Sequence, residues 1–253
     1  MLSKNTVKFI KSLQQKKFRK QEQAFFVEGA KNVTELLRSD YTCTHLLYSE
    51  KFADAQPELL SGFDGEKVRV LPAELKTAGT FSSNDQALVV ARVKPNLPVL
   101  VSSGELVVAL DDIRDPGNLG TIIRIADWYG VKKMLLSPET ADLYNPKVLH
   151  ASMGSFTRLA FEYVSLEEKL RDVRVPVFGA FLEGLSIYSH SGPAEGVLLM
   201  GNESHGISPE LEVLVSQKLT IPSFGGAESL NVAVATAVLC DHLRRLRQAG
   251  KPV

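Results

Sequence analysis

The sequence predicts an α/β protein in two parts: a small α/β module over residues 1–95 and a larger module over residues 105–253, built on a mostly parallel sheet. Three observations carry that prediction. From Leu106 onward, short apolar runs alternate with helix-like stretches, and Leu106–Leu110 is apolar at every position, as expected of a central parallel strand covered on both faces. Before residue 95, strand-like runs separated by helices suggest a small α/β module of its own. Between the two lie Lys94-Pro-Asn-Leu-Pro98 and Ser102-Ser-Gly104, whose prolines and Ser/Gly cluster read as a linker at 96–104.

In the first module, Ala24–Val27 reads as a strand and Glu28-Gly29 as the turn after it. Val33, Leu36 and Leu37 then recur at helical spacing in an amphipathic helix. Cys43–Tyr48, Lys67–Val70 and Gln86–Arg92 are strand-like, with a helix around Ala73–Thr77. In the second module, Thr121–Tyr129 is a helix stopped by Gly130, and Lys133–Leu136 is the next strand. Asn145-Pro146 opens a helix with proline at a tolerated first-turn position. Val175–Phe181, Val197–Met200 and Lys218–Ile221 are further strands, and Ser208-Pro209 opens the helix between the last two. A long helix runs from about Asn231 to Gln248, ending in Arg244, Arg245 and Arg247 with Gly250 as its stop. Through Leu239 it is apolar nearly all round, so it needs cover on more than one side. A second subunit is one source of that cover.

Composition excludes several classes. At 253 residues, 44% of them apolar and 23% charged, the chain can fill a real core and does not look disordered. A net charge of zero argues against binding by a uniformly charged surface. The charge is uneven, however: residues 1–20 carry Lys4, Lys8, Lys11, Lys16, Lys17, Arg19 and Lys20 and no acid. That run is either a solvated face or an arm that contacts phosphates, with Lys16, Lys17, Arg19 and Lys20 as its candidate phosphate contacts. Two cysteines, Cys43 and Cys240, are too few for a disulfide scaffold and read as buried thiols in a reducing compartment. No 18-residue apolar run and no secretory signal pattern occur, so the expected location is the cytoplasm.

Chemistry concentrates in three segments, each leaving the end of a strand: Asp115-Pro-Gly-Asn-Leu-Gly-Thr-Ile-Ile-Arg124, Gly201-Asn-Glu-Ser-His-Gly206 and Ile221-Pro-Ser-Phe-Gly-Gly-Ala-Glu-Ser-Leu-Asn231. Ligands of open α/β sheets sit at the carboxyl ends of their strands, so three such loops converge on one site. The polar set they present is Asn118, Arg124, Glu203, Ser229 and Asn231. Arg124 lies six residues past Asn118, close enough to face the same crevice. The dinucleotide pattern G-x-G-x-x-G and the P-loop pattern are both absent. Five scattered histidines and the Asp111-Asp112 pair give metal chemistry no support, and such an acidic pair at a strand end more often caps or pairs locally.

These three segments, in this order and spacing, resemble the three motifs of the SpoU, or TrmH-type, branch of the SPOUT methyltransferases, over Leu106 to about Leu243. Lys17-Phe-Arg-Lys…Phe25-Phe-Val-Glu-Gly29 is similar to the ribosomal-protein-like substrate-binding module that precedes the catalytic domain in many members. The resemblance implies an S-adenosylmethionine-dependent 2′-O-methyltransferase acting on a ribose in structured RNA, a deep C-terminal trefoil knot and a homodimer. It implies large-subunit ribosomal RNA as the first substrate and transfer RNA as the second. It places Asn118, Arg124, Glu203, Ser229 and Asn231 in the catalytic set. The cofactor is expected against Met200, Gly201, Ile221 and Leu230, with Ala180 contributed by the Phe178–Gly184 stretch. One position departs from the pattern: Ser204 follows Glu203 where glycine is usual, so a different local turn is expected. A guanidinium is a poor base, so the role expected of Arg124 is to bind a phosphate and orient the hydroxyl. The rival reading is a catalytically silent RNA-binding or ribosome-assembly protein that keeps the same fold.

Overall fold

The basic N-terminal stretch is helical. In the computed structural model, which describes residues 2–81 and 83–249, helix α1 spans Lys4–Ser12 and α2 spans Lys16–Glu22. Ser3 caps α1 by accepting from the Thr6 N–H at 3.0 Å. Ile10 and Leu13 sit three apart among the lysines and are fully buried, so the apolar side of the segment is part of a core. Residues 1–20 read by charge alone as an arm; their helical spacing was hidden behind that charge.

By its contacts the chain divides into two units, Met1–Pro95 with Asp142–Thr157, and Asn96–Ala141 with Arg158–Val253. In the first unit, α1 and α2 lead to β1 (Ala24–Glu28), α3 (Ala30–Leu37) and β2 (Cys43–Tyr48). Then come α4 (Glu50–Ala55), α5 (Pro57–Ser61), β3 (Glu66–Arg69), α6 (Pro72–Ala78) and β4 (Ala87–Arg92). The sheet order is β1-β4-β2-β3; β4 is antiparallel to both its neighbours, and β2 pairs with β3 in parallel. Gly29, between β1 and α3, has φ +88°, which explains a glycine at that turn. Although β1 is an edge strand, all five of its residues are buried. Phe25 lies against Tyr41, Tyr144 and Phe156, the last two from the 142–157 segment. That segment therefore closes the first unit's core, although it falls inside the second module in sequence.

The second unit starts at β5 (Leu106–Leu110), followed by α7 (Pro116–Trp128) and β6 (Lys133–Leu136). Helix α8 (Pro146–Ser152) belongs to the first unit. Thereafter come β7 (Ala160–Tyr163), α9 (Leu166–Arg171), β8 (Val177–Ser186), β9 (Gly196–Met200), α10 (Pro209–Glu212), β10 (Gln217–Thr220) and α11 (Val232–Ala249). Six strands pair in parallel in the order β10-β8-β9-β5-β6-β7. Strands β5 and β9 are buried at every residue, as their unbroken apolar runs require of central strands. Helix α11 packs on α7. The Gly250 stop expected for α11 lies outside the described residues.

Helix α11 also carries one half of a buried histidine pair. His242 Nε2 lies 3.0 Å from His190 Nδ1, so one ring donates and the other accepts. Both are nearly buried, at 5% and 6% exposed, and burial holds both below the ordinary histidine range. His190 and Arg245 push His242 down further, and Asp241 opposes them. Unfolding exposes both rings to water, where they take up protons near the ordinary pKa of about 6.5. Stability is therefore full above that pH and falls as pH drops below it. We expect the melting temperature to fall between pH 7.5 and 5.5, and the slope to shrink in His242→Gln; an equal slope in the variant would assign the acid sensitivity elsewhere.

Candidate active site

Because β10, β8, β9 and β5 are neighbouring parallel strands, their carboxyl ends emerge side by side along one edge of the sheet. The three motif segments and the Ala180–Gly184 stretch all arise there. The first is not a loop for most of its length. Asp115 caps α7 by accepting from the Asn118 N–H at 2.8 Å, and Pro116 takes the first helical position. The helix thus begins five residues before the Thr121 expected from sequence, and Asn118 stands on its first turn.

Three of the five candidate catalytic residues form one hydrogen-bonded chain. Asn118 Nδ2 donates to Glu203 Oε1 at 2.5 Å, and Asn231 Nδ2 donates to Asn118 Oδ1 at 3.0 Å. Asn231 in turn caps α11, its Oδ1 accepting from the Ala233 N–H at 2.9 Å. The amide of Asn118 is thereby oriented from both ends: one N–H is given to one loop, and its carbonyl oxygen accepts from another. Arg124 stands apart. Six residues at about 100° each turn it roughly 120° around α7 from Asn118, so the two do not share a face. It is exposed and makes no hydrogen bond or ion pair among the described residues. Ser229 is likewise exposed, in the Pro222–Leu230 stretch that precedes α11.

The residues expected at the cofactor line the same edge. Met200 ends β9, and its carbonyl accepts from the Asp111 N–H at 2.9 Å. Gly201 follows, where an added Cβ would lie 2.2 Å from both the Gly206 carbonyl carbon and the Ile207 nitrogen. The 201–206 loop closes on itself through the Asn202–Gly206 backbone pair, and Gly206 has φ +73°. Ile221 is half-buried just past β10, and Leu230 is 49% exposed. Ala180 falls in a register break: Lys218 pairs with Gly179 and Leu219 with Leu185, so residues 180–184 bulge out of β8. Ser204 has no positive φ, and its N–H donates to Asn202 Oδ1 at 2.8 Å. The turn therefore needs no glycine at that position.

One bracing residue escaped the sequence reading, Asn202, and it acts with the acidic pair at 111–112. Asn202 Nδ2 donates to the Asp112 carbonyl at 2.7 Å, tying the second loop to the first. Asp112, at φ +55°, accepts from Arg114 Nε at 2.7 Å, while Asp111 accepts from the Ser208 N–H at 2.9 Å. The acidic pair does cap and pair, but the Asp111 bond spans 97 positions instead of closing locally. No sequence signal marks Asn202, because its partner lies 90 positions away.

Of the four expected RNA contacts, Lys16, Lys17 and Lys20 are exposed on α2. Arg19 is a correction. It is 4% exposed, donates to the Leu13 and Gln14 carbonyls at 2.8 Å, and pairs with Asp142 at 2.6 Å. A buried guanidinium has to be paired and bonded in this way, and one so occupied has no fork left for a phosphate.

Comparison with known proteins finds relatives over nearly the whole chain. The SpoU rRNA Methylase family model matches residues 105–241, and an MRM3-like substrate binding domain model matches residues 4–87. The chain is 31% identical over 242 residues to the 23S rRNA (guanosine(2553)-2′-O)-methyltransferase RlmP of Bacillus subtilis, covering 94% of this chain and 95% of that protein. It is 28% identical over 239 residues to a 23S rRNA (uridine(2479)-2′-O)-methyltransferase of Streptomyces viridochromogenes, covering 87% and 83%. Among solved structures, a TrmH-family structure from Porphyromonas gingivalis superposes with TM-score 0.85 at 37% identity, covering 97% of this chain and 99% of that one. An S-adenosylmethionine-bound rRNA methyltransferase from Sinorhizobium meliloti superposes with TM-score 0.86 at 30% identity, covering 97% and 96%.

Proposed function

The chain belongs to the SpoU rRNA methylase family, and from that premise we propose that it methylates a ribose 2′-oxygen in large-subunit ribosomal RNA, with S-adenosylmethionine as methyl donor. The observation that carries this reading is the bond chain Glu203–Asn118–Asn231, which joins all three motif segments at one sheet edge. A silent structural relative has no need of an exposed Arg124 on α7 that is unpaired among the described residues.

The residues present fit the cofactor. Gly201 leaves no room for a side chain where its loop closes, so backbone lines that part of the edge. Leu230 and Phe224, 49% and 88% exposed, offer apolar surface for a nucleoside ring. When bound, S-adenosylmethionine supplies a methyl group made electrophilic by its positive sulfur. The chain's own residues then have two tasks. Arg124 presents a planar fork for the phosphate next to the target ribose and sets the direction of the 2′-hydroxyl. Asn118, Glu203 and Asn231 keep the loops in register, and Ser229 lies two residues before Asn231 on the third loop. The hydroxyl proton is given up to solvent water.

Lys16, Lys17 and Lys20 on α2 supply phosphate contacts in the first unit. Replacing all three by Glu is expected to weaken RNA binding and to lower the slope of log affinity against log salt by about 2 or more. An unchanged slope would make this face a bystander. The proposed working form is a homodimer: Trp128 at the end of α7 is 84% exposed and Val234 on α11 is 50% exposed, and these two helices pack together. A deep knot is proposed for the second unit on the family's pattern. Among the described residues no helix is long and apolar enough to cross a membrane. The cytoplasm, where ribosomal RNA is found, is the proposed site of action.

The test is transfer of labelled methyl from S-adenosylmethionine to protein-free ribosomal RNA and to bulk transfer RNA, followed by nucleoside analysis. A 2′-O-methylated nucleoside from the ribosomal RNA supports the proposal. Label in transfer RNA alone would change the substrate, and neither label nor cofactor binding would favour the silent RNA-binding reading.

A further inference from the structure

The first unit holds a small polar cavity that the methyl-transfer reading does not use. Glu28, at the end of β1, is 4% exposed. Its Oε1 accepts from the Thr80 N–H at 2.9 Å and from the Thr80 hydroxyl, and its Oε2 accepts only a long bond, from the Phe81 N–H at 3.3 Å. Asn32, one turn into α3, is 5% exposed. Its Nδ2 donates to the Glu28 carbonyl at 3.4 Å, which leaves Oδ1 bare. Among the described residues, this is the one buried side-chain polar atom without a partner. A bare buried acceptor weakens a fold, and native structures keep one where something else supplies the donor.

Glu28 and Asn32 line a cavity of about 10 Å³, roughly the space needed for one water molecule. The remaining lining is apolar and aromatic: Phe26, Leu149, Phe81 and His150. The rings of Phe81 and His150 stack with centroids 4.1 Å apart and planes 31° apart, and His150 is exposed. Lys31 and Lys147, exposed and adjacent in sequence to Asn32 and to Pro146, which also lines the cavity, add positive charge in the same region.

We infer that this cavity receives the exocyclic amino group of an RNA base, whose ring lies against Phe81 and His150. The inference rests on the reading of the protein as an RNA enzyme. Size, polarity and shape all point the same way. An amino group is about as large as a water molecule, whereas a base ring does not fit the cavity. Apart from the second N–H of the Asn32 amide, the two polar groups inside offer lone pairs, so a guest that satisfies Asn32 Oδ1 and Glu28 Oε2 must bring N–H bonds. An amino group brings two, one for Asn32 Oδ1 and one for the Glu28 carboxylate. Uracil brings a single N–H, flanked by carbonyl oxygens that the carboxylate repels, so it can satisfy only one of the two acceptors. Splayed bases stacked on aromatic rings and read along their edges are the usual currency of single-stranded RNA recognition.

The test uses the full chain without S-adenosylmethionine, so it does not depend on methyl transfer. Fluorescence anisotropy measures binding of the hexaribonucleotides rA6, rC6 and rU6 and of a hexamer of purine riboside, which is adenosine without its amino group. We expect rA6 and rC6 to bind about tenfold or more tightly than rU6, and purine riboside to fall to the rU6 level. Asn32→Leu should erase that preference while the melting temperature holds or rises, because leucine removes the bare acceptor. Equal binding by all four oligonucleotides overturns the inference. So does a preference that survives Asn32→Leu, and a loss of stability without loss of preference would assign the cavity to a structural water. Since the purine riboside comparison needs no variant, a poorly folding Asn32→Leu leaves the question decidable. Methyl transfer without base preference overturns only this inference; base preference without methyl transfer overturns only the proposed function.

Discussion

Arg124→Ala is expected to lower methyl transfer to RNA by about 100-fold or more, with S-adenosylmethionine affinity and melting temperature nearly unchanged. The dissociation of these readouts follows from where the side chain stands. Arg124 is exposed on α7 and holds no bond that braces the fold. Its neighbours toward the core, Ile122, Ile123 and Ala126, are fully buried and anchor the helix without it. Removal is therefore expected to leave the loops in place and to take away only the fork proposed to contact RNA. Lysine is a discriminating second variant, since it keeps the charge and loses the planar pair of donors. If Arg124→Lys recovers most of the rate, the residue acts as a simple counter-charge. Wild-type turnover by Arg124→Ala would sink the assigned role.

Gly201→Ala should do the opposite, destroying the cofactor edge by way of the fold. The added Cβ meets two backbone atoms of the same closed loop at 2.2 Å, and neither can swing aside as a side-chain tip could. To relieve the clash, the Asn202–Gly206 pair must open, which releases Glu203 from Asn118 and Asn202 from Asp112. Overpacking of this kind costs about 1–3 kcal/mol, and we expect calorimetric affinity for S-adenosylmethionine to fall about tenfold or more. Gly206→Ala is the control. Its added Cβ meets nothing within 4 Å, and the penalty is confined to the left-handed backbone at φ +73°, about 1–2 kcal/mol. Gly201→Ala should therefore be the worse variant for cofactor binding. If the two are equal, close approach at Gly201 is not what shapes the loop.

Much of this was legible in the chain. Unbroken apolar runs at Leu106–Leu110 and Val197–Met200 identified buried central strands because only a parallel sheet covered on both faces tolerates them. Asn145-Pro146 and Ser208-Pro209 marked helix starts by local geometry. The glycine at 29 announced a turn that needs positive φ. The site residues stood out for the same reason: three polar, glycine-bearing segments each followed a strand, and their spacing matched a family.

Other features depend on partners far away in sequence. Charge marked Arg19 as a surface cation, yet Asp142, 123 positions away, and two carbonyls make it an internal one. Periodicity placed Asn118 in a loop, but the Asp115 cap and Pro116 draw it into α7, where its amide can bridge Glu203 and Asn231. The same helix turns Arg124 away from it. Composition and periodicity alone do not place residues 142–157 in the first unit's core or leave Asn32 Oδ1 bare. By itself the sequence determined most of the strands and helices, the family and the candidate polar groups, because propensity, capping and motif spacing act over a few residues. Only the tertiary structure decided which polar groups are paired, bare or free to act. A hydrogen bond is satisfied by whatever the fold brings within about 3 Å, whatever the separation along the chain.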